Sequence, residues 1–192
     1  MTRYSSKSWR ALRPHSAPTS VTLQPAQPCR VLGLDPGSQR TGFGIIDCRA
    51  DGERHVASGC IDAAGREMVE RLQRIYAAVT ALVHEHRPDM LAIERVFVHR
   101  NPDSALKLGQ ARGVALCAAA SLGASVHEYA PRAIKMAVTG YGAAAKPQVA
   151  QMVRTLLLLE IRLAADAADA LAVALCHAQT RRLSALHAVD VA

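Results

Sequence analysis

The stretch that decides the fold is RVLGLDPGSQRTGFGIID, residues 30–47. An apolar run leads up to Asp35, proline and glycine follow at once, and a second apolar run begins at Gly42. That is a strand, a Gly-rich turn and a second strand. A buried-looking strand that stops on a carboxylate has two readings. Asp35 either forms the turn, which its residue type favours, or holds a metal ion for chemistry on phosphate. The rest of the chain has to decide between them.

Working outward, RHVASGCID (54–62) reads as a third strand, set off by the Asp-Gly turn signal in RADGE. Three strands in succession predict an antiparallel meander. Met68, Leu72, Ile75, Val79 and Leu82 then recur at spacings of three and four, which predicts an amphipathic helix stopped near Pro88. DMLAIERVFV (89–98) is a short apolar strand carrying Glu94. SALKLGQARGVALCAAASLG (104–123) is a helix rich in small residues, suited to close packing. ASVHEYA (124–130) is a strand, and PRAIKMAVTG (131–140) is a short helix that opens on proline and closes on glycine. KPQVAQMVRTLLLL (146–159) and AADAADALAVALCHAQTRRLSAL (164–186) complete the chain as helices. The order βββ-α-β-α-β-α-α-α predicts an α/β fold: a mixed five-stranded sheet with helices on both faces.

The 192 residues suit one domain with a real core, and half of them are hydrophobic. A formal net charge of +7 favours an anionic partner, either nucleic acid or a membrane surface. The five cysteines contain no CxxC pair, which points to reduced thiols in a cytoplasmic protein. No uncharged apolar run reaches membrane-spanning length, so a soluble protein is expected. Residues 1–29 contain Ser, Pro and Arg but no Asp or Glu and lack a secretory apolar centre. They are expected to be a disordered basic arm, with the folded domain over 30–182 and a tail over 183–192.

Acids stand in otherwise apolar segments at three places: Asp35, Glu94, and the pair Asp166 and Asp169. Burying an ionised carboxylate costs several kcal/mol unless a cation or donors compensate. Asp166 and Asp169 are three apart and share one helix face, where like charges repel. A hard divalent cation would relieve that repulsion. If the strand ends and the last helix meet, the four acids form one site, and paired cations in such a site serve phosphodiester hydrolysis. Each acid also has a plainer reading: a turn residue, a solvated strand edge, or a helix start favoured by the dipole.

With those residues in view, the chain resembles the RuvC family of Holliday junction resolvases. The matching pieces are LGLDPGSQRTGFGIID, AIERVF, NPDSALKLGQARGVAL, KPQVAQMVRTLL and ADAADALAVALCH, in the family's order over roughly residues 30–180. The resemblance implies a ribonuclease H-like fold and a homodimer that binds four-way junction DNA. It also implies Mg²⁺ or Mn²⁺, two ions per site, and cooperation with the RuvA–RuvB branch-migration complex. Asp35, Glu94, Asp166 and Asp169 match its catalytic, metal-holding acids. Lys135 and Lys146 match lysines beside the scissile backbone, and Phe97 matches an aromatic that contacts bases near the crossover. Arg100, Lys107 and Arg112 are weaker candidates for backbone contact, and the helix carrying the last two is expected near the dimer axis. His177 reads as structural. Arg95 stands where the family commonly has Gln.

Three other readings compete. The first hairpin also looks like the phosphate-binding hairpin of the actin, Hsp70 and sugar-kinase group, but those proteins need two such domains. A ribonuclease H-like nuclease acting on RNA is opposed by KLGQARG and DAADALA. A binding-only junction protein is opposed by the intact acid set.

Overall fold

The computed structural model describes residues 27–65, 67–95, 101–121 and 123–189. Ten elements follow in the expected order. They are β1 (Cys29–Asp35), β2 (Arg40–Arg49), β3 (Gly52–Asp62), α1 (Met68–His86), β4 (Met90–Glu94), α2 (Pro102–Ala120), β5 (Ser125–Tyr129), α3 (Pro131–Thr139), α4 (Lys146–Leu156) and α5 (Ala165–Val189). The sheet order is β3-β2-β1-β4-β5. β1, β2 and β3 form the antiparallel meander, while β4 and β5 run parallel to β1.

Side-chain alternation splits the core into two layers. Leu32, Leu34, Ile45, Leu91 and Ile93 face α1 and α2. Val31, Ile46 and Ala92 face α3, α4 and α5. The last helix is the centrepiece of the second layer: every residue from Ala167 to Ala178 except the half-buried Asp169 is buried. That explains its Ala/Leu composition, since a helix buried nearly all round carries no polar stripe.

Why α5 lies so close is written in the strands. Gly33 stands opposite Gly44, and Asp35 opposite Gly42, on the face that α5 covers. A Cβ on Gly33 would collide with the Ala170 carbonyl, and one on Gly42 with the Asp166 carbonyl. These glycines are required by backbone approach rather than by turn geometry.

Some boundaries differ from expectation. β1 begins at Cys29, and α5 continues to Val189, so residues 183–189 are helical rather than a separate tail. β4 ends at Glu94, four residues before the predicted end of that strand; residues 96–100 lie outside the described set. α1 stops on Arg87, in the left-handed region at φ 45°, whose N–H bonds the Val83 carbonyl. LLLLEIRLAA resolves as a helix end plus a connection. Leu157 is buried under the fold, whereas Leu158 turns outward with φ 53°.

Candidate metal-dependent nuclease site

β1 and β4 run side by side with Leu34 level with Ile93, so Asp35 and Glu94 are the next residues at the same end of both strands. Alternation puts both on the Gly33 and Ala92 face, the one α5 covers. The first turn of α5 arrives there because Gly42 lets the Asp166 backbone come down onto β2. Asp169 follows one turn on. Acids separated by as many as 134 positions in the chain (169 − 35) therefore share one end of the sheet.

Electrostatics records that proximity. Burial, then Asp169 and Glu94, push Asp35 up to about 7; Lys146 opposes them, and Asp166 adds to the rise. Burial and Asp169 also raise Glu94, against the pull of Lys146 and Lys135. Lys146, at the start of α4, donates to Asp169 Oδ2 at 2.6 Å. That hydrogen bond leads the causes that raise the lysine's own pKa, with Asp35 and Glu94 contributing. Among the described residues, neither Asp35, Glu94 nor Asp166 has a salt bridge of its own.

The donor set is all hard oxygen with excess negative charge, which fits Mg²⁺ or Mn²⁺ rather than a thiophilic metal. The acids are gathered but not closed into a cage: among the described residues, no three His, Cys, Asp or Glu side chains are already arranged around a common ion. A cleft of about 410 Å³ adjoins Asp169, lined by Lys146, Arg154, Arg162 and Leu163 among others. Its cations suit an anionic strand.

The other sequence candidates separate. Lys135 is half-buried on α3 and acts on Glu94 through its charge. Lys107 pairs with Asp103 one turn away at 2.6 Å, on the surface of α2. Arg112 is held by Glu128 at 2.7 Å. Phe97 and Arg100 lie outside the described residues. His177 is buried well away from the acids, between the Tyr129 hydroxyl at 2.7 Å and the Met90 thioether at 3.0 Å. Sequence reasoning missed Cys60, whose thiol donates to Asp166 Oδ2 at 3.4 Å. Only the pairing of β3 with β2, which sets Cys60 opposite Gly42, brings it there.

A five-stranded sheet of this topology with acids at the ends of β1 and β4 and on the closing helix defines a ribonuclease H-like nuclease. Residues 31–177 match the family described as crossover junction endodeoxyribonuclease RuvC, and the chain belongs to that family. The RuvC crossover junction endodeoxyribonuclease of Alkalilimnicola ehrlichii is 52% identical over 148 residues, 77% of this chain and 90% of the relative. That of Dichelobacter nodosus is 54% identical over 150 residues, 78% and 85% of the two chains. Among solved structures, T. thermophilus RuvC in complex with Holliday junction substrate superposes with a TM-score of 0.76 at 36% identity. It covers 82% of this chain and 97% of that one. The yeast mitochondrial Holliday junction resolvase Ydc2, 14% identical with a TM-score of 0.59 over 88% and 86% of the chains, shares the fold.

Proposed function

We propose that this protein is a structure-selective endonuclease that resolves Holliday junctions in DNA recombination and repair, by paired symmetric nicks. The observation that carries the reading is the convergence of Asp35, Glu94, Asp166 and Asp169 at one sheet end with too little positive charge to balance them. Asp35, Glu94, Asp166 and Asp169 would hold two divalent cations, Mg²⁺ or Mn²⁺. Such ions supply an activated water and stabilise the leaving oxyanion.

The remaining steps belong to side chains of the chain itself. The junction backbone enters along the cleft beside Lys146, Arg154 and Arg162, and its phosphates take over part of the charge balance that Asp169 gives Lys146 in the free protein. Lys146 and Lys135 flank the scissile phosphate and stabilise charge that builds on it in the transition state. Phe97 stacks on a base exposed at the crossover, and Arg100 and Lys107 contact backbone phosphates. Two active sites are needed for symmetric nicks, and a homodimer built around α2 supplies them. We place the protein in the cytoplasm, working with a RuvA–RuvB branch-migration complex. No helix among the described residues is long and apolar enough to cross a membrane.

The test is a mobile synthetic four-way junction with Mg²⁺, offered to the wild type and to Asp35→Asn. The wild type makes symmetric, ligatable nicks, and the variant loses at least about 100-fold in cleavage rate, since removing groups that merely support a metal ligand already costs 10–100-fold. Junction binding survives in the variant and falls steeply with salt. Equal cutting of plain duplex, or an active Asp35→Asn, overturns the reading.

A further inference from the structure

Glu94 is the last residue of β4, and its carboxylate faces α5 while α2 packs on the opposite side of the sheet. Strand ends fray unless something holds them, and a metal-holding acid placed there needs its backbone fixed. The far face supplies the fastening. Arg112, on α2, donates from Nε to the Glu94 carbonyl at 3.4 Å and from Nη2 to Glu128 Oε1 at 2.7 Å. Glu128 lies level with Ile93 on β5, so it shares the α2 face. Its second oxygen lies 3.8 Å from Arg95 Nε, and the Arg95 amide donates to the Tyr129 carbonyl at 2.8 Å. The arginine is only 19% exposed, and its guanidinium spans α2, β4 and β5.

We propose that Arg112, braced by Glu128, is a positioning residue for Glu94: it fixes the end of β4 through the Glu94 carbonyl, and so sets the carboxylate from the side of the sheet opposite Asp35, Asp166 and Asp169. This rests on the nuclease reading above and departs from a role for Arg112 as a phosphate contact. Two of the five N–H donors of this guanidinium are committed to the Glu94 carbonyl and to Glu128, and its charge is already paired with a carboxylate. A second consequence concerns Glu128. As a surface acid near DNA it would merely repel phosphate; as the brace for Arg112 it supports the metal site.

The two roles predict opposite results. Arg112→Ala, Arg112→Lys, Glu128→Gln and Asp35→Asn are compared with the wild type in three measurements. These are Mn²⁺ affinity of the DNA-free protein by titration calorimetry, junction affinity without divalent metal across a salt series, and junction cleavage. Positioning predicts that Arg112→Ala and Glu128→Gln each weaken Mn²⁺ binding and cleavage about 10-fold, the scale of support around metal ligands. Junction affinity stays within twofold and the salt slope is unchanged. The Arg112→Ala/Glu128→Gln double variant is no worse than Arg112→Ala, because both changes break one linkage. Arg112→Lys, which keeps the charge without the fork, behaves like Arg112→Ala.

A phosphate-contact role predicts the reverse: Arg112→Ala weakens junction binding, lowers the salt slope by about one ion, and leaves Mn²⁺ affinity alone, while Glu128→Gln tightens junction binding. That pattern overturns the proposal. If Arg112→Ala does not fold, the half-exposed Glu128→Gln decides the matter by itself. Asp35→Asn separates the two levels. If it abolishes Mn²⁺ binding and Glu128→Gln does not weaken it, positioning alone is wrong. If Asp35→Asn leaves Mn²⁺ binding intact, the acid site is misread and the role of Arg112 falls with it.

Discussion

Asp35 and Asp47 sit at opposite ends of one pair of strands and have opposite electrostatic fates. Asp47, on β2 beside the start of β1, receives Arg30 through two hydrogen bonds, Nε to Oδ1 at 2.7 Å and Nη2 to Oδ2 at 3.1 Å. Arg30 also donates from Nη1 to the His86 carbonyl, and Asp89 accepts from the Arg30 amide. The Arg30 hydrogen bond holds Asp47 below the usual carboxylate range. Asp35, at the other end of the ladder, is raised to about 7 by burial and by other acids. One end of the sheet is charge-matched and the other is left in debt to a ligand. The comparison teaches that identical residues on the same two strands can serve folding or chemistry, and that the unmet charge marks which.

The largest expected effect breaks the pair apart. Asp35→Asn, which loses cleavage as stated above, should stabilise the metal-free protein, because it removes a buried charge among like charges. At this chain length each kcal/mol moves the melting temperature by about 2–4 °C. Asp47→Asn should do the opposite: it should cost about 1–2 kcal/mol at neutral pH by weakening the Arg30 pair and leave junction cleavage within twofold. The cost shrinks as pH falls below about 4, since stability from a lowered carboxylate is present above its unfolded pKa and lost as pH drops through the folded value. Urea denaturation at pH 7 and pH 3, with and without each substitution, checks both signs. A destabilised Asp35→Asn would mean that this acid is structural after all.

A second effect is visible only when two opposing groups are separated. Asp35 titrates near 7 in the fold and near 3.8 unfolded, so its contribution to stability is full below pH 3.8 and is lost as pH rises to 7. His177 runs the other way. Burial, then His127 and Arg181, lower it to about 4 from 6.5, so its contribution is full above 6.5 and is lost as pH falls towards 4. A neutral ring protonated on Nε2 satisfies both of its contacts, accepting from Tyr129 at Nδ1 and donating to Met90 at Nε2. At about 1.4 kcal/mol per unit, the windows are worth up to about 4 and about 3 kcal/mol, and they run in opposite directions over the same pH range. Asp35→Asn should therefore show stability that climbs from pH 4 to 7, and His177→Gln stability that falls over the same range. Parallel curves for the two variants would refute the assignment.

Much of this was legible in the sequence because the local and global signals agree. Residues 30–35, 42–48 and 54–62 alternate or run apolar between turn signals, and the meander followed. The α1 spacing of three and four put Ile75 and Val79 inward, as found. The four acids could be picked out because each interrupts an apolar segment. What could not be read is why they meet. That depends on Gly33 and Gly42 lying directly beneath α5, a cross-strand coincidence invisible to any single segment. The surroundings of Arg112 were hidden for the same reason: on a helix of small residues it looks like a solvated charge, and only the register of β5 brings Glu128 within reach of it. Spacing along one element predicts faces; which faces touch is decided between elements.

The smallest effect tests how the acid end tolerates its charge before a ligand arrives. Lys146 is 77% exposed, and its partner Asp169 only 20%. Pairs with so much solvent contact contribute at most about 1 kcal/mol, so Lys146→Ala should cost no more than that in the metal-free protein. The informative quantity is how the cost changes with Mg²⁺. If the lysine balances acids that a divalent ion would otherwise balance, saturating Mg²⁺ should erase the difference in melting temperature between Lys146→Ala and the wild type, while cleavage stays impaired because the lysine then serves the phosphate. A control on the matched end, Arg30→Ala, should keep its full stability cost with or without Mg²⁺. Should Mg²⁺ leave the Lys146→Ala cost unchanged, the lysine would be anchoring α4 to α5 in its own right, and the contrast between the two ends of the sheet would be one of degree only.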